Sequence, residues 1–269
     1  MLRLSMNELT TMRWSFEEDV EEFAAAGFEA IGIWRPKLTD IGVAKGVELM
    51  QRKGLHCSNL LWAGGFTGSD GNSFRDSVSD AREAIEMAAA VKAGCLVIYS
   101  GSWGGHTRTH ARRLVHNALG ELLPFAEEFG VTLAIEPMHP GCCGDWTFLN
   151  TIAESLELID AFESPFLKIV LDTYHFGFQE SNLQQLADIA HRIAVVHVGD
   201  GFAPPSGDQD RCLLGKGKVP IRKIVDTLVD AGYDGFLDVE VIGESVEQFD
   251  YPTLVGASRD YMQSMFASK

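Results

Sequence analysis

The sequence predicts an α/β fold, a single (β/α)8 TIM barrel domain over residues 1–269, and three observations carry that expectation. Five amphipathic stretches each stop at a glycine that an apolar, strand-like run follows: EEFAAAGFEAIGIW at Gly27, ELMQRKGLHCSNLLW at Gly54, AAAVKAGCLVIYS at Gly94, FAEEFGVTLAIEP at Gly130 and TLVDAGYDGFLDVEV at Gly232. A glycine just past a helix takes the left-handed conformation at little steric cost, and the strand then starts. Short apolar runs alternate with helical stretches eight times, and no Pro/Ser linker or composition break divides the 269 residues. Such runs separated by helices imply right-handed crossovers and a parallel sheet covered by helices. At this length eight units close into a barrel more readily than they form an open sheet.

Taken in order, a first strand over 2–7 leads to a helix over 16–26 ending at Gly27, and a strand over 28–34 follows. A helix over 40–53 stops at Gly54 before a strand over 55–61. Helices over 74–93 and 108–129 meet Gly94 and Gly130 before strands over 95–100 and 131–136. The pairs 150–162 with 167–173 and 182–191 with 193–198 supply the sixth and seventh strands. A helix over 220–231 stops at Gly232 before a strand over 236–241, and a last helix covers 251–266. The long 199–219 connection stands out, because a connection of that length in a compact barrel is usually functional.

Composition narrows the function classes. Lys and Arg number 22 against 38 Asp and Glu, a formal charge of 22 − 38 = −16. A chain this acidic lacks the basic footprint that neutralises phosphates, so neither nucleic acid nor an anionic membrane is an expected partner. Five cysteines, with Cys142 and Cys143 adjacent and no Cys-x-x-Cys pair, argue against a disulfide framework or a cysteine-built zinc site. Neither a secretory leader nor a membrane-spanning apolar run is legible, and a cytoplasmic location is expected. No glycine-rich phosphate loop opens a helix after a strand, so no nucleotide cofactor is expected.

In a barrel, chemistry belongs at the C-terminal ends of the strands. Glu136 ends TLAIE, Asp172 ends KIVLD, His197 nearly ends AVVH and Glu240 nearly ends FLDVE, one from each of strands five to eight. Alternation puts Ala134 with Glu136, Val170 with Asp172, Val195 with His197 and Asp238 with Glu240 on shared faces. A single acid at a strand end can instead cap the next helix or pair with Arg. Three carboxylates and an imidazole converging from adjacent strands repel one another unless a cation sits among them, and that donor set suits Mn²⁺, Co²⁺, Mg²⁺ or Zn²⁺.

The order Glu136, Asp172-Thr-Tyr-His175, His197, Glu240, with the motifs AIEPMHP, LDTYH, HVGD and YDGFLDVE, resembles the sugar-phosphate isomerase/epimerase superfamily of xylose-isomerase-like barrels. Asp210-Arg211 before a GKGKVPI run is similar to its inosose-isomerase and keto-sugar branch. The resemblance implies metal ligands at Glu136, Asp172, His197 and Glu240, acid/base carboxylates at Glu136 and Glu240, and substrate contacts at His175 and Arg211, with His139 lining the same mouth. It implies one divalent ion, Mn²⁺ foremost, and a small sugar or cyclic keto-polyol as substrate, with a homo-oligomer compatible.

The implied chemistry is proton abstraction beside a carbonyl, with the enediolate stabilised by the ion as a Lewis acid. Two carboxylates on opposite faces of the substrate invert a centre, one face alone gives aldose/ketose transfer, and loss of water makes a dehydratase. Trp34, Trp62 and Trp103, with Phe66 in a Gly-rich loop, are candidates for aromatic walls around a sugar, and equally for ordinary packing. His106, His110, His116 and His56 read as peripheral.

Two rivals remain open. An apurinic-site endonuclease shares the barrel but needs further ligands, where this chain reads Asp208-Gln209-Asp210-Arg211 in place of an Asp-x-His pair. A non-catalytic sugar-binding barrel is disfavoured by the presence of every candidate ligand and base.

Overall fold

The computed structural model describes residues 3–142, 144–207 and 209–266. Eight parallel strands form a closed barrel in chain order. They are β1 (Arg3–Asn7), β2 (Ala30–Trp34), β3 (His56–Gly64), β4 (Leu96–Tyr99), β5 (Leu133–Ile135), β6 (Leu167–Asp172), β7 (Ile193–Val198) and β8 (Phe236–Val239). The covering helices are α1 (Phe16–Ala26), α2 (Arg35–Ile41), α3 (Val43–Lys53), α4 (Phe74–Ala90), α5 (Arg108–Phe129) and α6 (Ile152–Asp160). They continue with α7 (Thr173–Phe176), α8 (Glu180–Ile189), α9 (Ile221–Asp230), α10 (Glu244–Glu247) and α11 (Tyr251–Phe266).

The glycine punctuation behaves as the physics requires in four of the five places. Gly27, Gly54, Gly130 and Gly232 carry φ of 87°, 72°, 67° and 90°. Gly94 is different. Helix α4 stops at Ala90, and Lys92 takes the positive φ of 54°, while a side chain on Gly94 would come within 2.6 Å of the Ser58 carbonyl. Gly94 is thus needed for close approach to β3, not for the helix cap.

The single helix expected over 40–53 is two. Helix α2 begins at once after β2, and Gly42, at φ 89° and ψ 133°, turns the chain into α3. Three short helical turns were not foreseen: 8–11, α7 and α10. The first two are capped by Asn7 and Asp172, the last residues of their strands, whereas α10 starts from Gly243, at φ 127°, without a side-chain cap.

Two apolar layers hold the barrel. Most of the buried side chains lie between strands and helices, as with Phe23, Ile33, Leu60, Leu119 and Val196. The interior is smaller: Ala30, Leu61, Val97, Ala134, Val170, Val195 and Phe236, with Cys95. Ala134, Val170 and Val195 there are the residues that alternation paired with Glu136, Asp172 and His197. Those polar groups accordingly emerge inside the barrel one pleat further along. Among the described residues no helix is long and apolar enough to cross a membrane.

Candidate functional site

The strand ladder aims the site. Asp172 pairs in register with His197, and His197 with Asp238. Strands β5 and β8 stop one residue short of Glu136 and Glu240. The ladder nevertheless continues through their amides, Glu136 N donating to Ile98 O and Glu240 N to Val198 O, each at 3.0 Å. Every carboxylate is therefore fixed at its backbone before its side chain does anything.

One ligand-type atom from each of Glu136, Asp172, His197 and Glu240 lies within 4.8 Å of all the others, and all four residues are buried. His197 Nδ1 stands 3.0 Å from Glu136 Oε1 and 3.1 Å from Glu240 Oε2. Its other nitrogen, Nε2, faces Asn59 Oδ1 at 3.4 Å, an acceptor that suits a proton on Nε2 and leaves Nδ1 as the nitrogen turned toward the two glutamates. Asn59 in turn donates to Asp238 Oδ2 at 2.8 Å, and Asn7 donates to the same oxygen at 2.7 Å. Gly32 makes room for this group, since a Cβ there would collide with Asp238 and Asn7.

Asp172 serves two neighbours. Its Oδ1 accepts the backbone N–H groups of Tyr174 (2.7 Å) and His175 (3.2 Å), capping α7, and its Oδ2 accepts Arg211 Nη2 at 2.9 Å. Arg211 Nη2 also meets Glu240 Oε1 at 3.0 Å and Gln209 Oε1 at 2.9 Å, and Nη1 donates to the Glu240 carbonyl at 3.0 Å. The guanidinium is 1% exposed, and its Nε has no partner among the described residues.

What carries Arg211 to the cluster is the long connection after β7, wrapped around Asp200. Asp200 Oδ1 accepts N–H from Gly201 (2.8 Å) and Val219 (3.1 Å), and Oδ2 from Gly215 (2.9 Å) and Gly217 (3.0 Å). One buried carboxylate thereby gathers both ends of the loop.

The electrostatics follow from burial and these pairings. Burial alone pushes Asp172 up, but Arg211 and the two histidines pull it below the usual carboxylate range. Burial raises Glu240 above its ordinary value despite Arg211 and His197. For His197 burial favours the neutral ring, yet Glu136, Glu240 and Asp238 outweigh it and hold the proton up to about 10. Burial likewise opposes the charged form of His175, and Asp172 reverses the balance and raises it.

These donors suit a divalent cation. Three carboxylates and one guanidinium sum to −3 + 1 = −2, the charge that one divalent ion cancels when it takes the place of the proton His197 holds on Nδ1.

Other sequence candidates scatter. His175 is buried on α7 with Nδ1 3.7 Å from Cys142 Sγ. His139 is half-buried nearby, accepting Gly141 N at 3.1 Å, and burial lowers its pKa. Trp62 stands at the end of β3 against Trp146, with ring centroids 5.3 Å apart. Trp103 does not join the group: its ring stacks on Phe148 at 4.5 Å and 22°. Phe66 is wholly buried among the helices. His106 and His110 pack on each other at 4.7 Å, His116 stacks on Phe162, and His56 is exposed at the start of β3. Asp208 and Cys143 lie outside the described residues.

Sequence reasoning missed Asn7, Asn59, Asp200 and Trp146. Asn7 and Asn59 carried a readable signal, an amide inside an apolar run (LSMN, HCSNLLW). Trp146 lies in a loop without period and carried none.

With this geometry in hand, comparison with known proteins is direct. The family model described as xylose isomerase-like TIM barrel matches residues 20–265. Inosose isomerase of Halalkalibacterium halodurans is 29% identical over 159 residues, 57% of this chain and 54% of that protein. D-psicose 3-epimerase of Enterocloster bolteae is 32% identical over 124 residues, 46% of this chain and 37% of that protein. The matches thus span about half or less of these relatives' lengths. Among solved structures, protein SMc04130 of Sinorhizobium meliloti 1021 superposes with a TM-score of 0.89 at 27% identity, covering 97% of this chain and 98% of that one. An IOLI protein solved with a bound zinc atom superposes at 0.85 and 20% identity, covering 99% and 98%, and shares the fold.

Proposed function

The chain belongs to the xylose isomerase-like TIM barrel family, and from that premise we propose that it is a divalent-metal-dependent isomerase or epimerase of a sugar, keto-sugar or inosose. The observation that carries the proposal is the buried cluster of three carboxylates and one imidazole within 4.8 Å, with the imidazole Nδ1 turned inward. Relatives named inosose isomerase and D-psicose 3-epimerase give the same reading from outside the structure.

Glu136, Asp172, His197 and Glu240 would hold the ion, Mn²⁺ first by donor chemistry, with Co²⁺, Mg²⁺ or Zn²⁺ as alternatives. When bound, such an ion supplies Lewis acidity toward negative charge that grows on a substrate oxygen.

The rest falls to the chain's own groups. The carbon acid beside a carbonyl is weak, so a base must stand ready in a dry site. Glu136 and Glu240 come from strands three places apart around the ring, and each reaches a bound carbon from its own side. One takes the proton; the other returns it on the opposite face in an epimerase, or the first returns it to the neighbouring carbon in an isomerase. Arg211 Nε and the His175 ring supply donors for the oxygens next to that carbon. Arg211 also shields Asp172 from Glu240, so the like charges tolerate one another before substrate arrives.

The test is a panel of ketoses, inososes and 3-keto sugars incubated in D₂O with Mn²⁺, with exchange at the α-carbon read by NMR. Exchange is expected in at least one substrate and is lost on chelation. Glu136→Gln and Glu240→Gln each reduce turnover by about 10²–10⁴-fold or more. Full activity in both variants would overturn the assignment.

A further inference from the structure

The mouth of the barrel has two unlike halves. Strands β5 to β8 carry the charged cluster, whereas Trp34 and Tyr99 end β2 and β4 and Trp62 lies two residues before the end of β3. These three rings and Trp146 line a cavity of about 450 Å³. Trp146 packs across Trp62 at 5.3 Å and 52° and across Tyr99 at 5.6 Å and 66°, yet it remains 44% exposed. A large aromatic ring held at angles to two others, with much of its surface left open, is a wall built to receive a further ring.

We propose that this cavity binds a second ring on the substrate, and that the site takes an unphosphorylated sugar or cyclitol bearing a glycosyl or aryl substituent. This inference rests on the proposed function and specifies its substrate class. Three observations support it. The first is position. Asn59 reaches His197 at 3.4 Å, and Trp62 follows three residues later on the same strand, about 10 Å further at ~3.3 Å per residue. Leu61, Trp34 and Trp62, which line the cavity, pack with the barrel interior, so the space adjoins the same end of the barrel. A sugar ring at the charged cluster therefore points its far substituent at the tryptophans.

The second is size. A volume of about 450 Å³ is more than the far end of a triose or tetrose fills. The third is charge. Among the described residues of the wall the one cation is Arg35, which gives both terminal nitrogens to Asp80 at 2.8 Å, and Nη1 also to the Trp62 carbonyl at 2.8 Å. Asp40 and Asp80 add negative charge to the rim. Arg35 Nε and Trp62 Nε1 are buried donors without a bond among the described residues, but the carboxylates of Asp40 and Asp80 repel a phosphate, whereas a neutral ring finds four aromatic faces and edges.

The chain itself joins the halves. The connection that begins at Glu136 returns over β4, where Gly101 N donates to Trp146 O at 3.0 Å and Phe148 N to Gly101 O at 3.1 Å. Trp146 is thereby placed on the wall by the same segment that starts at a candidate base.

The test is calorimetric binding of phenyl β-D-glucopyranoside, methyl β-D-glucopyranoside, glucose and glucose 6-phosphate to the Mn²⁺-supplemented protein. Quenching of tryptophan fluorescence by 4-nitrophenyl β-D-glucopyranoside gives a second readout. The phenyl glycoside is expected to bind about tenfold tighter than the methyl glycoside. Trp146→Ala removes the advantage, Trp146→Phe keeps most of it, and thermal melts verify that both variants fold. Glucose 6-phosphate binds no tighter than glucose. Equal affinity of the two glycosides, no measurable binding of the phenyl probe, an undiminished advantage in Trp146→Ala, or a preference for the phosphate overturns the inference. Chelation-sensitive exchange in a free ketose without any aryl preference sinks only this inference. Aryl preference without exchange in any ketose sinks the proposed activity and leaves the cavity assignment standing.

Discussion

Replacing Asp200 by Asn tests whether the long connection after β7 exists to deliver Arg211. The carboxylate accepts four backbone N–H groups at 2.8–3.1 Å. An amide of the same shape offers one oxygen with two lone pairs and turns an NH₂ toward donors, so at least two N–H groups lose their acceptor. At about 1–3 kcal/mol for each buried group left unsatisfied, the loss is about 2–6 kcal/mol. For a chain of this size that corresponds to a Tm roughly 4–12 °C lower. Because the loop holds Arg211 against Asp172 and Glu240, kcat/KM on an accepted ketose should fall to the level of Arg211→Gln. The two changes combined should add little, since they remove one interaction. Thermal unfolding in chelator and steady-state kinetics of the single and double variants make the measurement. A Tm within about 1 °C of the parent, or kinetic losses that multiply in the double variant, would refute the reasoning.

Three further outcomes follow from the same geometry. Arg211→Gln leaves three buried carboxylates without their cation and should destabilise the chelated protein by about 3–5 kcal/mol, while added Mn²⁺ raises its Tm by more than it raises the parent's; an equal rise in both speaks against the charge balance. Asn59→Ala frees the His197 ring and should weaken Mn²⁺ binding by about 10–100-fold in a competition titration, with unchanged affinity counting against the support role. Glu8 is buried against Asp19 and Lys37, and burial followed by the Asp19 charge raises its pKa well above the usual range. A raised carboxyl contributes stability that is complete below its unfolded pKa near 4.5 and is lost as pH rises through the folded value. The stability of Glu8→Gln relative to the parent should therefore climb above pH 4.5, by up to ~1.4 kcal/mol per pH unit, in denaturant titrations; a flat difference between pH 5 and 8 rejects it.

The barrel was legible because its signals are local and repeated. Gly27, Gly54, Gly130 and Gly232 mark helix ends with positive φ, and the alternation around Ala134, Val170 and Val195 aims the polar residues inward. Glu136, Asp172, His197 and Glu240 could be read for the same reason. What stayed hidden depends on where distant segments meet. Asp238 shares the Glu240 face, but nothing in FLDVE announces that amides from β1 and β3 hold it. Arg211 lies in a stretch without period, and its place is decided by how 199–219 folds around Asp200. The break at Gly42 is hidden because the amphipathic pattern runs on through it, and the helix that Pro36 opens lies mostly ahead of the expected 40–53.

The hydrogen bonds behind His197 also bear on how the molecule comes apart. In a ring of eight strands, β3 and β7 face each other across the full diameter, and Asn59 and His197 span it, with Asp238 and Asn7 tying in β8 and β1. This is a crossbeam. Separating residues of β1–β4 from those of β5–β8 would strand a buried carboxylate and an imidazole, at a cost that no half of the barrel can make up alone. Coincident melting by circular dichroism and tryptophan fluorescence is the expected outcome, and a half-barrel fragment that folds by itself counts against the crossbeam.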